Sequence, residues 1–116
     1  MKGKNHSRTM SYPNIIKLNV GGTVFQTKKS TLTRVASSFK VPIETNSPFE
    51  KDEAGCILID RNPKHFPLIL SYLRDGVVEL PDDKKEIREI RREADAYKLD
   101  HLHVSMKRNL GKTYNT

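Results

Sequence analysis

Ten residues, LNVGGTVFQT at positions 18–27, constrain the fold of this chain more than any other stretch. Two adjacent glycines, Gly21 and Gly22, stand between two runs that alternate apolar and polar residues. In IIKLNV, Ile16, Leu18 and Val20 point one way, and Lys17 and Asn19 the other, as in a half-buried strand. TVFQTK reads as a second strand. A two-residue Gly-Gly connection marks a hairpin, because the tight turns that match strand twist need positive φ. The register follows: Val20 opposite Thr23, Leu18 opposite Phe25, Ile16 opposite Thr27. Directly paired residues share a face, so Leu18 and Phe25 pack on the core side. Lys17, Asn19, Val24 and Gln26 lie on the other face. Val24 is the apolar member of that face and marks a surface for something else to cover.

Paired glycines also serve phosphate and dinucleotide loops. Those loops feed straight into a helix and carry further spaced glycines or a Gly-Lys-Ser/Thr end. Here the glycines feed into the β-branched and aromatic TVFQT, so the turn reading stands and no nucleotide cofactor is expected.

Beyond the hairpin, KSTLTRVASSF reads as a short helix capped by Ser30, with Leu32, Val35 and Phe39 at helical spacing. Residues 40–55, with two prolines and many turn formers, read as a loop. CILID is a short apolar strand. NPKHFPLILSYLRDG reads as a helix capped by Asn62, with Pro63 at its first position. Phe66, Ile69, Leu70 and Leu73 form its buried stripe. Pro67 removes a backbone donor and predicts an irregular or kinked first turn, and Gly76 suits a left-handed end. After VVELP, Asp82 or Asp83 caps a second helix with Ile87, Ile90, Ala94 and Tyr97 as its apolar stripe. Its outer face, dense in both signs, is a solvated surface or a polar interface. DHLHVSMKRNL adds a last helical piece. The expected class is mixed α/β (α+β): a small sheet with a hairpin and a helical second half.

The 116 residues allow one domain, and no apolar run reaches the roughly 20 residues of a membrane span, so no membrane insertion is expected. The N-terminal residues lack the apolar stretch of a secretory signal. Cys56 is the only cysteine, so no internal disulfide forms; it reads as a buried, inert thiol in an intracellular chain, cytoplasmic or also nuclear. The net charge is +7, and three basic residues without an acid lie in each of 1–14 and 103–116. Between them 15 basic residues face 14 acids. The excess sits on the tails rather than in a basic stripe on folded surface, so no specific nucleic-acid partner is expected. The four histidines, His6, His65, His101 and His103, share no ligand spacing, and His65 reads as a surface residue. No nucleophile elbow appears, and the carboxylate pairs Asp82-Asp83 and Asp52-Glu53 sit at turns or helix starts, where capping explains them. Catalytic residues, metal ligands and cofactors are all expected to be absent, and the protein is expected not to be an enzyme.

IIKLNVGGTVFQTKKSTLTR, DEAGCILIDRNPKHFPLILSYLRDG and LPDDKKEIREIRREADAYKL resemble, in order, the BTB/POZ domain of the potassium-channel-tetramerisation-domain (KCTD) family. KHFPLILSYLRDG with LP and a charged helix is most similar to the BACURD subgroup, adaptors that direct degradation of Rho-family GTPases. The resemblance covers residues 14–104, with basic tails at 1–13 and 105–116 expected to be disordered and flexible. It implies a domain that self-associates into a ring, a homo-pentamer or a tetramer. It also implies Cullin-3 as a partner and a substrate-adaptor role in a ubiquitin ligase. The family's substrate-holding domain lies further along, so the chain is expected to be a fragment or a short member.

Two alternatives share the pattern: the cytosolic tetramerisation domain of a voltage-gated potassium channel, and an oligomerisation scaffold that binds no cullin. The resemblance places oligomer contacts at Val24, Arg34, Asp60, Arg61, Arg74 and Asp75, and cullin contacts at Leu80, Pro81, Ala96 and Tyr97. Asp60-Arg61 and Arg74-Asp75 are either local caps and salt bridges or charges joined across subunits. Many relatives carry an aromatic where this chain has Ala96; losing such an anchor costs about 2 kcal/mol or more at an interface. VASSFKVPIETNSPF also lacks the apolar pair and Ser-Gly turn common in relatives.

Overall fold

A computed structural model describes residues 12–104. The hairpin forms in the expected register: β1 (Ile15–Val20) pairs antiparallel with β2 (Thr23–Lys28), with Val20 opposite Thr23, Leu18 opposite Phe25 and Ile16 opposite Thr27. β3 (Ile57–Ile59) then joins the free side of β1 in parallel, giving the sheet order β2-β1-β3. CILID is therefore strand only over three residues, with Cys56 buried just before them. Segment 50–52 runs outside β3: the Leu58 amide donates to the Glu50 carbonyl at 2.8 Å, and the Asp52 amide to the Cys56 carbonyl at 2.9 Å.

Helices cover one face of this sheet. α1 (Lys29–Arg34) follows β2 without a break. Its cap position is Lys28, with no side-chain hydrogen bond, so Ser30 lies inside the first turn and does not cap. Residues 40–44, expected as loop, form a second short helix, α2 (Lys40–Glu44). Pro42 sits in its first turn, where the missing amide has no helical acceptor to lose. Tertiary burial of Phe39 and Ile43 holds a segment too short to be stable alone.

α3 (Phe66–Asp75) starts later than expected. The Asn62 carboxamide oxygen accepts from the Lys64 amide at 2.9 Å, which makes a turn ahead of the helix. His65 takes the cap position. Pro67 thereby falls in the first turn and breaks no ladder bond, so no kink is needed. Gly76 ends the helix at φ +80°, its amide donating to the Tyr72 carbonyl at 2.7 Å. α4 (Lys84–Ala96) is capped by Asp83, whose carboxylate accepts from the Lys85 amide at 3.0 Å. A further helical turn covers residues 100–104.

The core is one cluster. Leu18, Val20 and Ile57 from the sheet meet Leu32, Ile43, the α3 stripe of Phe66, Ile69 and Leu73, and Ile87 and Ile90 of α4. Phe25 packs at its edge, its ring 4.9 Å from that of Phe66. Tyr12 belongs to this cluster too, so the folded unit extends upstream of residue 14. The Tyr12 hydroxyl donates to the Ser47 carbonyl, and its ring meets Phe49 edge-on at 6.2 Å. The rest of the two expected tails lies outside the described residues.

Both turn glycines have positive φ, +55° at Gly21 and +101° at Gly22, but only Gly21 is sterically confined. A Cβ there lies 2.3 Å from the Arg61 carbonyl oxygen, whereas one on Gly22 meets nothing within 4 Å. Gly22→Ala is expected to cost about 1–2 kcal/mol of backbone strain, and Gly21→Ala clearly more because the overlap is with backbone. Urea denaturation of both variants checks this ranking; equal losses would contradict it.

Candidate functional site

The hairpin turn shows how the loop after β3 is set. The Gly21 amide donates to the Ile59 carbonyl at 2.9 Å, and the Gly22 amide to the Asn19 side-chain oxygen at 2.8 Å. Both turn amides are thus used inside the protein and neither points at a ligand, so the structure does not form the phosphate cradle that paired glycines sometimes make. The other end of Asn19 donates to Asp52 at 2.8 Å. Asp52 also accepts from the amides of Ala54 and Cys56 at 3.0 and 2.9 Å. The Asn19 bond first, then the Cys56 amide, hold its carboxyl below the ordinary aspartate value.

Arg61, one of the expected interface residues, is engaged within its own chain. Its Nε and Nη2 donate to the two Glu93 carboxylate oxygens at 2.8 and 2.9 Å, a bidentate fork. Glu93 is only 9% exposed, and its side chain raises the Arg61 pKa. This pair ties the post-β3 loop to α4. Glu93 lies beside Ile90 and Ala94 on the buried face of α4, which a reading of that helix as an apolar stripe with a solvated outside overlooked. An acid among apolar positions 87, 90 and 94 is itself the sequence sign of a buried partner.

Next to this pair lies a polar cleft lined by Lys64, His65, Glu89 and Arg92. His65 is not a surface residue: it is largely buried, with Nε2 2.8 Å from Glu89 Oε1, and Lys64 Nζ donates to the same oxygen at 3.2 Å. Among the described residues, no group of three His, Cys, Asp or Glu side chains forms a metal site.

The expected oligomer contacts fall into two groups. Val24, Arg34, Arg74 and Asp75 lie on the β2 side of the sheet. Val24 is 55% exposed on the uncovered sheet face, with Ile15 and Leu58 as its other exposed apolar residues. Arg74 Nη2 donates to the Gln26 carbonyl on the outer edge of β2 at 3.4 Å. The Arg34 guanidinium reaches the end of α3, so close that a Cβ on Gly76 would lie 3.0 Å from its Nη1. Asp60 and Arg61 lie on the β3 side.

The expected cullin contacts lie at both ends of α4. Leu80 and Pro81 precede α4, whereas Ala96 is its last residue. At 1.5 Å per residue, a 13-residue helix separates them by roughly 20 Å. Tyr97 is a core residue, 4% exposed, stacked on Phe39 at 5.7 Å and edge-on to Phe66 at 5.5 Å. Burial first, then the Glu93 charge, push its hydroxyl pKa up. Val41 and Val77 are exposed apolar residues that the sequence patterns did not single out.

A family model described as the BTB/POZ domain matches residues 16–107. The chain is 37% identical over 95 residues to BTB/POZ domain-containing adapter for CUL3-mediated RhoA degradation protein 1 of Danio rerio, covering 82% of this chain and 29% of that protein. It is 40% identical over 87 residues to protein 2 of the same name from Homo sapiens, covering 75% and 28%. With the Xenopus laevis protein 2 it shares 39% identity over 101 residues, covering 87% and 32%. The chain spans about three tenths of the length of these curated relatives.

The hydrogen bonds from His65 first, then Lys64, hold the Glu89 carboxyl below its ordinary value of 4.5. A carboxylate shifted this way stabilises the fold above its unfolded pKa, and that contribution is lost as pH falls through the folded value. Urea midpoints measured from about pH 6 down to about pH 3 should therefore fall less steeply in Glu89→Gln than in the native chain. Parallel pH profiles would contradict the pairing.

Proposed function

This chain belongs to the BTB/POZ domain family, and from that premise we propose that it is a homo-oligomerising interaction module that recruits Cullin-3 to a ubiquitin-ligase substrate. The observation that carries the reading is the match along residues 16–107, together with relatives whose names describe adapters for CUL3-mediated RhoA degradation. The architecture supports it. The side chains that chemistry would use, Arg61, Glu93, His65 and Glu89, are joined to one another in structural pairs. Such a domain acts through its surfaces. One face of its sheet is left open, carrying Val24 and Leu58, and a ring contact covers such a face.

Ala96 favours a second reading, in which the domain assembles but holds no cullin. Its methyl group offers none of the buried aromatic area that anchors many interfaces. Titration calorimetry with the Cullin-3 N-terminal domain separates the two. Saturable binding by the native chain at about 1 µM or tighter, worth about −8 kcal/mol, is the expected result. No binding by the native chain, with binding gained in Ala96→Phe, would establish the scaffold reading instead.

A further inference from the structure

β3 is shorter than the strand it joins, and a groove is left beside the unmatched part of β1. In the hairpin register, Ile16, Leu18 and Val20 exchange main-chain bonds with β2, so Ile15, Lys17 and Asn19 turn their amides and carbonyls the other way. β3 begins at Ile57 opposite Leu18 and reaches back no further than the Lys17 carbonyl. The Lys17 amide and both main-chain groups of Ile15 lie beyond its start. Among the described residues, no main-chain bond joins them to segment 51–56. That segment turns back on itself instead: the Gly55 amide donates to the Asp52 carbonyl at 3.0 Å, and Lys51 pairs with Ile57. At roughly 3.3 Å per residue, Ile15–Lys17 offers about 10 Å of open strand edge.

The groove beside this edge has a volume of about 290 Å³. Tyr12, Ile16 and Ile57, largely buried, give it an apolar lining. Lys17 and Lys51 line it too, and no acid does. Lys51 lies over the Tyr12 ring, 5.4 Å from its centre. Asp52, next in the chain, already accepts from Asn19 and from the Ala54 and Cys56 amides. None of the expected oligomer or cullin contacts lines this groove.

We propose that this groove takes an extended segment of a partner protein as an added strand, one that carries an apolar residue flanked by Asp or Glu. Unpaired main-chain groups on a strand supply hydrogen bonds to such a segment, and its alternate side chains supply specificity. Directly paired residues share a face, so the residue opposite Ile16 points inward to the apolar lining. Its neighbours, opposite Ile15 and Lys17, point to the uncovered face of the sheet, where a carboxylate meets the charge of Lys17. Lys51 adds a second cation to the same groove. The occupant is a partner rather than an end of this chain because residues 1–11 and 105–116 contain basic residues and no acid. Like charge at Lys17 and Lys51 disfavours them. So short an edge pairs with a short motif, not with a whole folded face.

Amide NMR of the native chain with the acetylated, amidated peptide TEVET tests this. Saturable shifts confined to residues 12–17 and 51–57 are expected, with half-saturation at about 1 mM or tighter. The peptide TKVKT should bind about tenfold more weakly, and Lys17→Glu/Lys51→Glu should reverse that order. Thermal melts show whether this variant is folded; the two peptides on the native chain test the charge rule in either case. Methylating the peptide's main-chain nitrogens separates strand addition from charge attraction. A parallel strand loses binding on methylation at valine, an antiparallel one on methylation at the glutamates. Absence of saturable shifts, equal binding of both peptides, or tolerance of methylation at every position overturns the proposal. Shifts in these residues that follow protein concentration without peptide would give the groove to a second copy. Contacts from residues 1–11 to Ile57 would give it to the chain's own lead-in. Either result overturns the proposal as well.

Discussion

One main-chain contact organises this domain: the Gly21 amide on the Ile59 carbonyl, with the Arg61 carbonyl lying where any larger residue would place its Cβ. It locks the hairpin turn to the end of β3 and so fixes the parallel pairing of β1 with β3. The loop that leaves β3 is then delivered to α4, where Arg61 forks onto Glu93. Breaking this pair strands a nearly buried carboxylate, whose partner is itself only partly screened by solvent. Three elements distant in sequence are thereby joined through a few atoms, and the paired glycines are needed for closeness as much as for turn shape.

Much of this was legible in the sequence because it repeats with a period. The hairpin register follows from alternation and the two-glycine spacing, and the buried stripes of α3 and α4 follow from 3.6-residue periodicity. What escaped depends on contacts between distant segments. α2 is five residues with a proline, and only burial of Ile43 and Phe39 makes it helical. Pro67 looked disruptive because the helix start was placed at Pro63; the turn made by Asn62 moves that start to Phe66, where a proline fits. Glu93 was missed because it lies among outward charges in the sequence, yet faces Arg61 in space. Tyr97 reads as a member of the α4 apolar stripe and, by resemblance, as a cullin contact; stacking on Phe39 and Phe66 places it in the core, as the stripe predicts.

The consequence for function is a division of labour between inside and outside. Arg61, Glu93, His65 and Glu89, the side chains most suited to chemistry, are committed to tying elements together. Other charged residues stay exposed, at the sheet edges and along the outer face of α4. An interaction module of the BTB/POZ family needs such leftover surface, because it works by presenting patches to copies of itself and to partners.

The mass of the assembled native chain bears most directly on this view. Native mass spectrometry at micromolar concentration should show a closed oligomer at an integer multiple of 13.3 kDa, five or four copies being what the resemblance implies. A single species at 13.3 kDa across that range would contradict it.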